Sequence, residues 1–215
     1  MFSFAPTMDK REHIIQKAIE LFSEGGFDNT SIRDISQKAC VNVAMVNYYF
    51  GSKKELFKAI IAFKSSYLKT RLEELLSDTS LNEMDKINII IDEYATRILS
   101  NPHFHRVVHQ ELLLNTRPEM NDIIRELFTK NFQIIKKILE EGMKKNLFKK
   151  IDADLTISSL FGTINHYVQA SNYYSGRKEK EKDIQGDESF RKRLINHLQQ
   201  LMQAHLLNDK LFLKQ

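Results

Sequence analysis

The sequence predicts an all-α protein, on three observations. Only three prolines and seven glycines interrupt the 215 residues. Apolar residues recur at three- and four-residue spacing over most of the length, and the period-two alternation of half-buried strands is scarce. Cap-forming residues stand where several of the apolar stripes begin.

About nine helices are expected. Asp9 with Glu12 reads as a capping box that opens the first, which carries Ile14, Ala18, Leu21 and Phe22 on one stripe to about Glu24. Gly25-Gly26 should stop it, because glycine readily adopts the left-handed C-cap conformation. Thr30 is the expected N-cap of a short second helix from Ser31 to Lys38, with Ile32, Ile35 and Ala39 inward. A turn at Ala39-Cys40-Val41 leads to a third helix from Asn42 to about Tyr49. Gly51-Ser52 breaks the chain. Ser52 and Glu55 then cap a long fourth helix to about Leu76, with Leu56, Phe57, Ile60, Tyr67, Leu68 and Leu72 on its buried side. Further amphipathic helices are expected near 82–99, 103–114, 118–145, 152–174 and 187–207, with Pro102 and Pro118 at starts that tolerate proline. Asn146-Leu147-Phe148 reads as a turn. The polar segment 175–188 reads as a solvated loop.

The chain is long enough for one large or two small cores. No stretch approaches the 18 or so apolar residues of a membrane span. The first residues lack a secretory pattern and Cys40 has no second cysteine to pair with, so the expected location is cytoplasmic, with no membrane partner. The formal net charge is +4, yet residues 1–56 hold seven basic and seven acidic groups. DNA binding by this segment would depend on where the charges sit, not on their sum.

Two short helices joined by a tight turn suit a DNA major groove, the second lying in it and the first bracing across the backbone. Ile35, Ala39, Val41, Val46 and Phe50 supply a core side. Asn42, Val43, Met45, Asn47 and Tyr48 would face outward. The stretch from Ile14 to Ile61 resembles the N-terminal domain of the TetR family of bacterial repressors. The resemblance is carried by Ala18 with Leu21-Phe22, Gly26-Phe27, Thr30-Ser31 with Arg33 and Ile35, Ala39 and Val41, Tyr49-Phe50, and Lys53 with Leu56. Beyond Ile61 the chain resembles the family only in being helical and of suitable length.

The resemblance implies roles residue by residue. Asn42 would cap the recognition helix or touch a phosphate. Val43, Ala44, Met45 and Asn47 would look toward base edges. Tyr48 and Tyr49 match an aromatic pair that reaches the DNA backbone. Lys53 would bind phosphate, and Ser31 with Arg33 would clamp the flanking phosphate. Two positions depart from the pattern: Cys40 stands where glycine is usual, costly if φ is positive there, and Asn47 stands where tyrosine is usual.

The resemblance also implies a head over residues 1–52 and a ligand-binding and dimerisation domain over 53–215. Leu155, Leu160, Phe161, Ile164 and Val168 would face a second chain together with Phe190, Leu194, Leu198, Leu201 and Met202. The homodimer would read a palindromic operator in double-stranded DNA and release it when a small, largely apolar effector fills the bundle. Candidate effector contacts are His105, His109, Phe128, Phe161, Asn165 and His166, the last being either a polar handle or a satisfied core histidine.

His105 and His109, with His103 and Glu111 nearby, have a spacing able to bind zinc or nickel, but a solvated or pocket-edge role is the simpler reading, so no metal and no cofactor is expected. Cys40 reads as an inert filler before a redox switch. The lysines at 130–150 read as the solvated face of a helix buried through Ile123, Leu127, Phe128, Ile134, Ile135 and Ile138. No catalytic motif is present. The rival readings are a helical carrier or enzyme whose head has lost its DNA role, and a metal-sensing repressor.

Overall fold

The computed structural model describes residues 9–114, 118–174 and 188–208. Nine helices stand among them: α1 (Lys10–Asn29), α2 (Ile32–Lys38), α3 (Val43–Phe50), α4 (Lys53–Ser77), α5 (Glu83–Ser100), α6 (Pro102–Leu114), α7 (Pro118–Lys144), α8 (Ala153–Tyr174) and α9 (Glu188–Leu206). The expected loop at 175–188 falls, except for Glu188, outside the described residues, as do the side chains of His103 and Leu127.

The chain forms two compact units, Met1–Tyr67 with His103–Arg125, and Leu68–Pro102 with Glu126–Gln215. In the first unit, Ile14, Ile15, Ala18, Ile19 and Phe22 of α1 are buried with Ile35, Val46, Phe50, Leu56, Phe57 and Ile60. Phe22, Phe27 and Phe57 form an aromatic cluster with ring centroids 5.3 to 5.9 Å apart, a tilted and edge-on arrangement that suits ring quadrupoles. The glycine pair breaks α1 where the sequence places its end: Gly26, at φ 77° and ψ 171°, is not helical, and only a short helical turn to Asn29 follows it. The resumed turn brings Phe27 inward against Phe57.

The second unit is built around α5, which packs on α8 and α9. Its core combines Ile87, Ile90, Ile91 and Ile98 with Ile135, Ile138, Ile157, Ile164, Leu198 and Met202. After α7, Asn146 takes φ 56° and the chain folds back so that the Phe148 ring occupies the space beside Gly142. A Cβ on Gly142 would fall inside that ring. Phe148 then bridges to Leu207, with the Lys149 N–H donating to the Leu206 carbonyl at 2.7 Å.

Tyr67 and Phe128, both expected inside, are exposed. Tyr67 lies between Ile61, the last α4 residue buried in the first unit, and Leu72, the first buried in the second. Phe128 lies likewise between Ile124 and Asn131. Periodicity names a helix face, but not where along the helix the covering surface ends.

Candidate nucleic-acid interface

Ser31, and not the expected Thr30, caps α2. Its hydroxyl accepts the Asp34 N–H at 3.1 Å, while Asp34 Oδ2 accepts the Ser31 N–H and hydroxyl, each at 2.7 Å. Those two bonds from Ser31, the hydroxyl's first, hold the Asp34 carboxyl below its ordinary range. Thr30 is buried instead, and its hydroxyl donates to the Gly26 and Leu21 carbonyls at 2.9 and 3.3 Å, closing the end of α1. Both residues are good caps, so local sequence does not choose between them.

The turn has a defined geometry. The Cys40 N–H donates to the Gln37 carbonyl and the Val41 N–H to the Ser36 carbonyl at 2.9 Å. The second spans five residues and is the longer bond of a Schellman end. Cys40 sits in it with φ 52°, the left-handed conformation that disfavours a side chain by about 1–2 kcal/mol. Asn42 then caps α3, its Oδ1 accepting the Met45 N–H at 2.7 Å. Gly51, at φ 74°, ends α3 by donating its N–H to the Asn47 carbonyl. Ser52 opens α4 by accepting the Glu55 N–H at 3.1 Å.

Within α3, Val46 and Phe50 are buried, Met45 and Tyr49 half-buried, and Val43, Ala44, Asn47 and Tyr48 exposed. The four exposed residues share about 140° of helix circumference. Tyr48 is 85% exposed and stands edge-on to Tyr49, ring centroids 5.4 Å apart. Arg33 is exposed on α2.

Three other cations, Lys38, Arg11 and Lys53, are tied to the protein. Lys38 pairs with Glu24 at 3.1 Å and Glu20 at 3.5 Å, linking α2 to α1; the Glu24 bond raises the Lys38 pKa above its ordinary value. Arg11 lies over the Phe50 ring, 5.4 Å from its centroid. Lys53, expected to hold phosphate, donates its Nζ to the carbonyls of Phe27 at 2.9 Å, Thr30 at 3.0 Å and Asp28 at 3.4 Å, and lies 4.4 Å from the centroid of the Phe27 ring. An ammonium has three donors, and all three point back into the head. No local pattern signals this tie, which joins residues up to 26 apart in sequence.

The expected effector contacts divide between the units. His105 and His109 are half-buried in the first; Phe128, Phe161, Asn165 and His166 belong to the second. His109 Nδ1 is buried without a hydrogen-bond partner among the described residues. Phe161 packs on Tyr94, ring centroids 4.4 Å apart. Burial pushes the Tyr94 phenol well above its ordinary range, although its hydrogen bond with Asn131 acts the other way. His166 is exposed and so is not a core histidine: it stands two residues, about 200°, from Ile164 on the buried stripe of α8. Among the described residues, no group of three His, Cys, Asp or Glu side chains is placed to hold a metal ion.

Most of the expected dimer face is turned inward. Leu160, Ile164, Val168, Leu194, Leu198 and Met202 are buried in the chain's own core. Phe190 is half-buried, its ring stacked on Tyr167. Of the residues expected there, only Leu155, at 66%, and Leu201, at 43%, are exposed. An apolar stripe looks the same whether it meets its own core or a second chain.

A short pair of helices with a left-handed turn between them, capped at each helix start and exposed along the outer face of the second, defines a helix-turn-helix protein. Residues 14–60 match the family described as bacterial regulatory proteins, tetR family, and residues 65–195 match YsiA-like protein, C-terminal region. The chain is 32% identical to the Probable HTH-type transcriptional regulator YttP of Bacillus subtilis over 63% of its own length and 65% of that protein, just under two thirds of the relative. It is 25% identical to the fatty acid metabolism regulator protein of the same organism, over 74% of this chain and 81% of that one. The fold matches the Bacillus subtilis transcriptional regulator FadR, solved in complex with stearoyl-CoA, at a TM-score of 0.66 and 21% identity, covering 86% of this chain and 96% of that one. The chain belongs to the TetR family of bacterial regulatory proteins. None of its described helices is long and apolar enough to cross a membrane.

Proposed function

We propose that this protein is a cytoplasmic transcriptional repressor that binds a palindromic operator as a homodimer through residues 1–52 and leaves it when an effector occupies the helical domain of residues 53–215. The observation that carries the reading is the exposed arc of α3, Val43, Ala44, Asn47 and Tyr48, on a helix fixed at both ends by Asn42 and Gly51. Side chains left exposed by the protein are held on a rigid element at a spacing a major groove accepts. Arg33 and the Tyr48 hydroxyl would hold phosphate. Ser31 and Lys53 serve the frame, since their polar atoms are engaged within the head.

Pairing of two chains supplies two heads for two half-sites. The contact area would draw on Leu155 and Leu201, which the single chain leaves exposed. An apolar effector is supported by the relative named for fatty acid metabolism and by the stearoyl-CoA bound to FadR. The half-buried Phe161 and Asn165 of the second unit are the candidate contacts. By linkage, effector and DNA must weaken each other by the same factor.

The reading is tested by fluorescence titration of duplexes from the region upstream of the protein's own gene. A palindromic segment should bind two chains, weaken as salt rises, and be released by stearoyl-CoA used as the apolar probe. Equal affinity for that region and for unrelated DNA would refute operator binding.

A further inference from the structure

We propose that α3 reads its half-site as A·T base pairs, through thymine methyl groups and an adenine edge, and makes no guanine or cytosine contact. This rests on the DNA-binding reading above and goes beyond it in naming the bases. In the major groove guanine offers two acceptors, met by arginine or lysine, and cytosine offers a donor, met by aspartate or glutamate. From Ala39 to Ser52 the chain has no charged residue at all. The helix that should enter the groove therefore lacks both kinds of partner. Its exposed arc offers instead the branched apolar Val43, the methyl of Ala44 and the carboxamide of Asn47. Apolar side chains suit the thymine methyl, and asparagine suits the paired N6 donor and N7 acceptor of adenine.

Lys38 and Lys53, which flank the turn and α3, are not free to supply what α3 lacks. Lys38 is held by Glu20 and Glu24 on α1. Lys53 is held by the Phe27 and Thr30 carbonyls and the Phe27 ring. Val43 and Asn47 are four residues apart on one face, so they would address neighbouring base pairs. Asn42 does not compete for a base through its oxygen, which caps the Met45 N–H. Base contact thus falls to Val43, Ala44 and Asn47, while Tyr48 stands beside them on the same arc.

The experiment is selection of bound duplexes from a random pool with the full-length protein, followed by titration of the enriched site. Each half-site should contain an A·T-only core. Replacing its thymines with uracil, which deletes the methyl, should weaken binding about fourfold per contacted base, the worth of one buried methylene. Asn47→Ala should relax the preference at one A·T position about tenfold while leaving the others fixed. Half-sites whose core is fixed at G·C, or uracil sites bound as tightly as thymine sites, would overturn the inference and leave DNA binding intact. Failure to enrich any sequence would overturn the DNA-binding reading and this inference with it.

Discussion

Two helices of this chain end in the same way with different residues. After α2 the left-handed position is Cys40, φ 52°; after α7 it is Asn146, φ 56°. At each end a hydrogen bond then reaches back across five residues, Val41 to Ser36 at 2.9 Å and Leu147 to Gly142 at 3.0 Å. Asparagine adopts this conformation at less cost than cysteine does. The segments beyond the two turns also differ. Behind Asn146 the buried Phe148 fills the space over Gly142 and ties the chain to Leu207. Behind Cys40, which is exposed, the chain passes within two residues into a second cap at Asn42. One turn is secured by packing. The other is secured by polar caps and holds a strained residue beside the reading helix, as functional sites often do.

The largest effect that would sharpen this contrast is at Gly142. Glycine to alanine inside a helix ordinarily stabilises by about 1 kcal/mol. Here the added carbon meets the Phe148 ring, so Gly142→Ala should destabilise by about 3 kcal/mol, measured by urea denaturation. A stabilised variant would show that packing does not secure the α7 turn.

Next is Lys53, which fixes the end of α1 against the start of α4. Lys53→Met should weaken operator binding about tenfold by loosening the frame, while the slope of log affinity against log salt stays unchanged. A slope shallower by about 0.9 would instead mean a lost phosphate contact. The smallest effect is at the two turn residues. Cys40→Gly should stabilise by about 1 kcal/mol through release of backbone strain, and Asn146→Gly by a few tenths at most. Equal gains at both would remove the distinction between the turns.

These positions also show what the sequence could and could not disclose. The Gly51 stop and the Ser52 start come from residue chemistry within a few positions, the Asn42 cap and the positive φ risk at Cys40 from the family resemblance, and the structure carries each. The tie from Lys53 to Phe27 and Thr30 depends on the fold bringing distant segments together, so Lys53 read as an ordinary phosphate ligand. The break at Gly26 is legible because glycine admits positive φ; the short turn after it, which packs Phe27 inward against Phe57, is not. On α8 and α9 the apolar spacing correctly marked a buried face. It held no sign that Ile164, Leu198 and Met202 are buried by their own chain.

The most direct test of the central claim is operator affinity of Arg33→Ala and Tyr48→Ala beside the unaltered protein, with thermal unfolding followed by circular dichroism. Both side chains are exposed, and the Tyr48 ring stands against that of Tyr49. Each variant should lose tenfold or more in affinity with the melting temperature unchanged, Arg33→Ala also lowering the salt slope by about 0.9. Full operator affinity in both variants would contradict the assignment of this face to DNA.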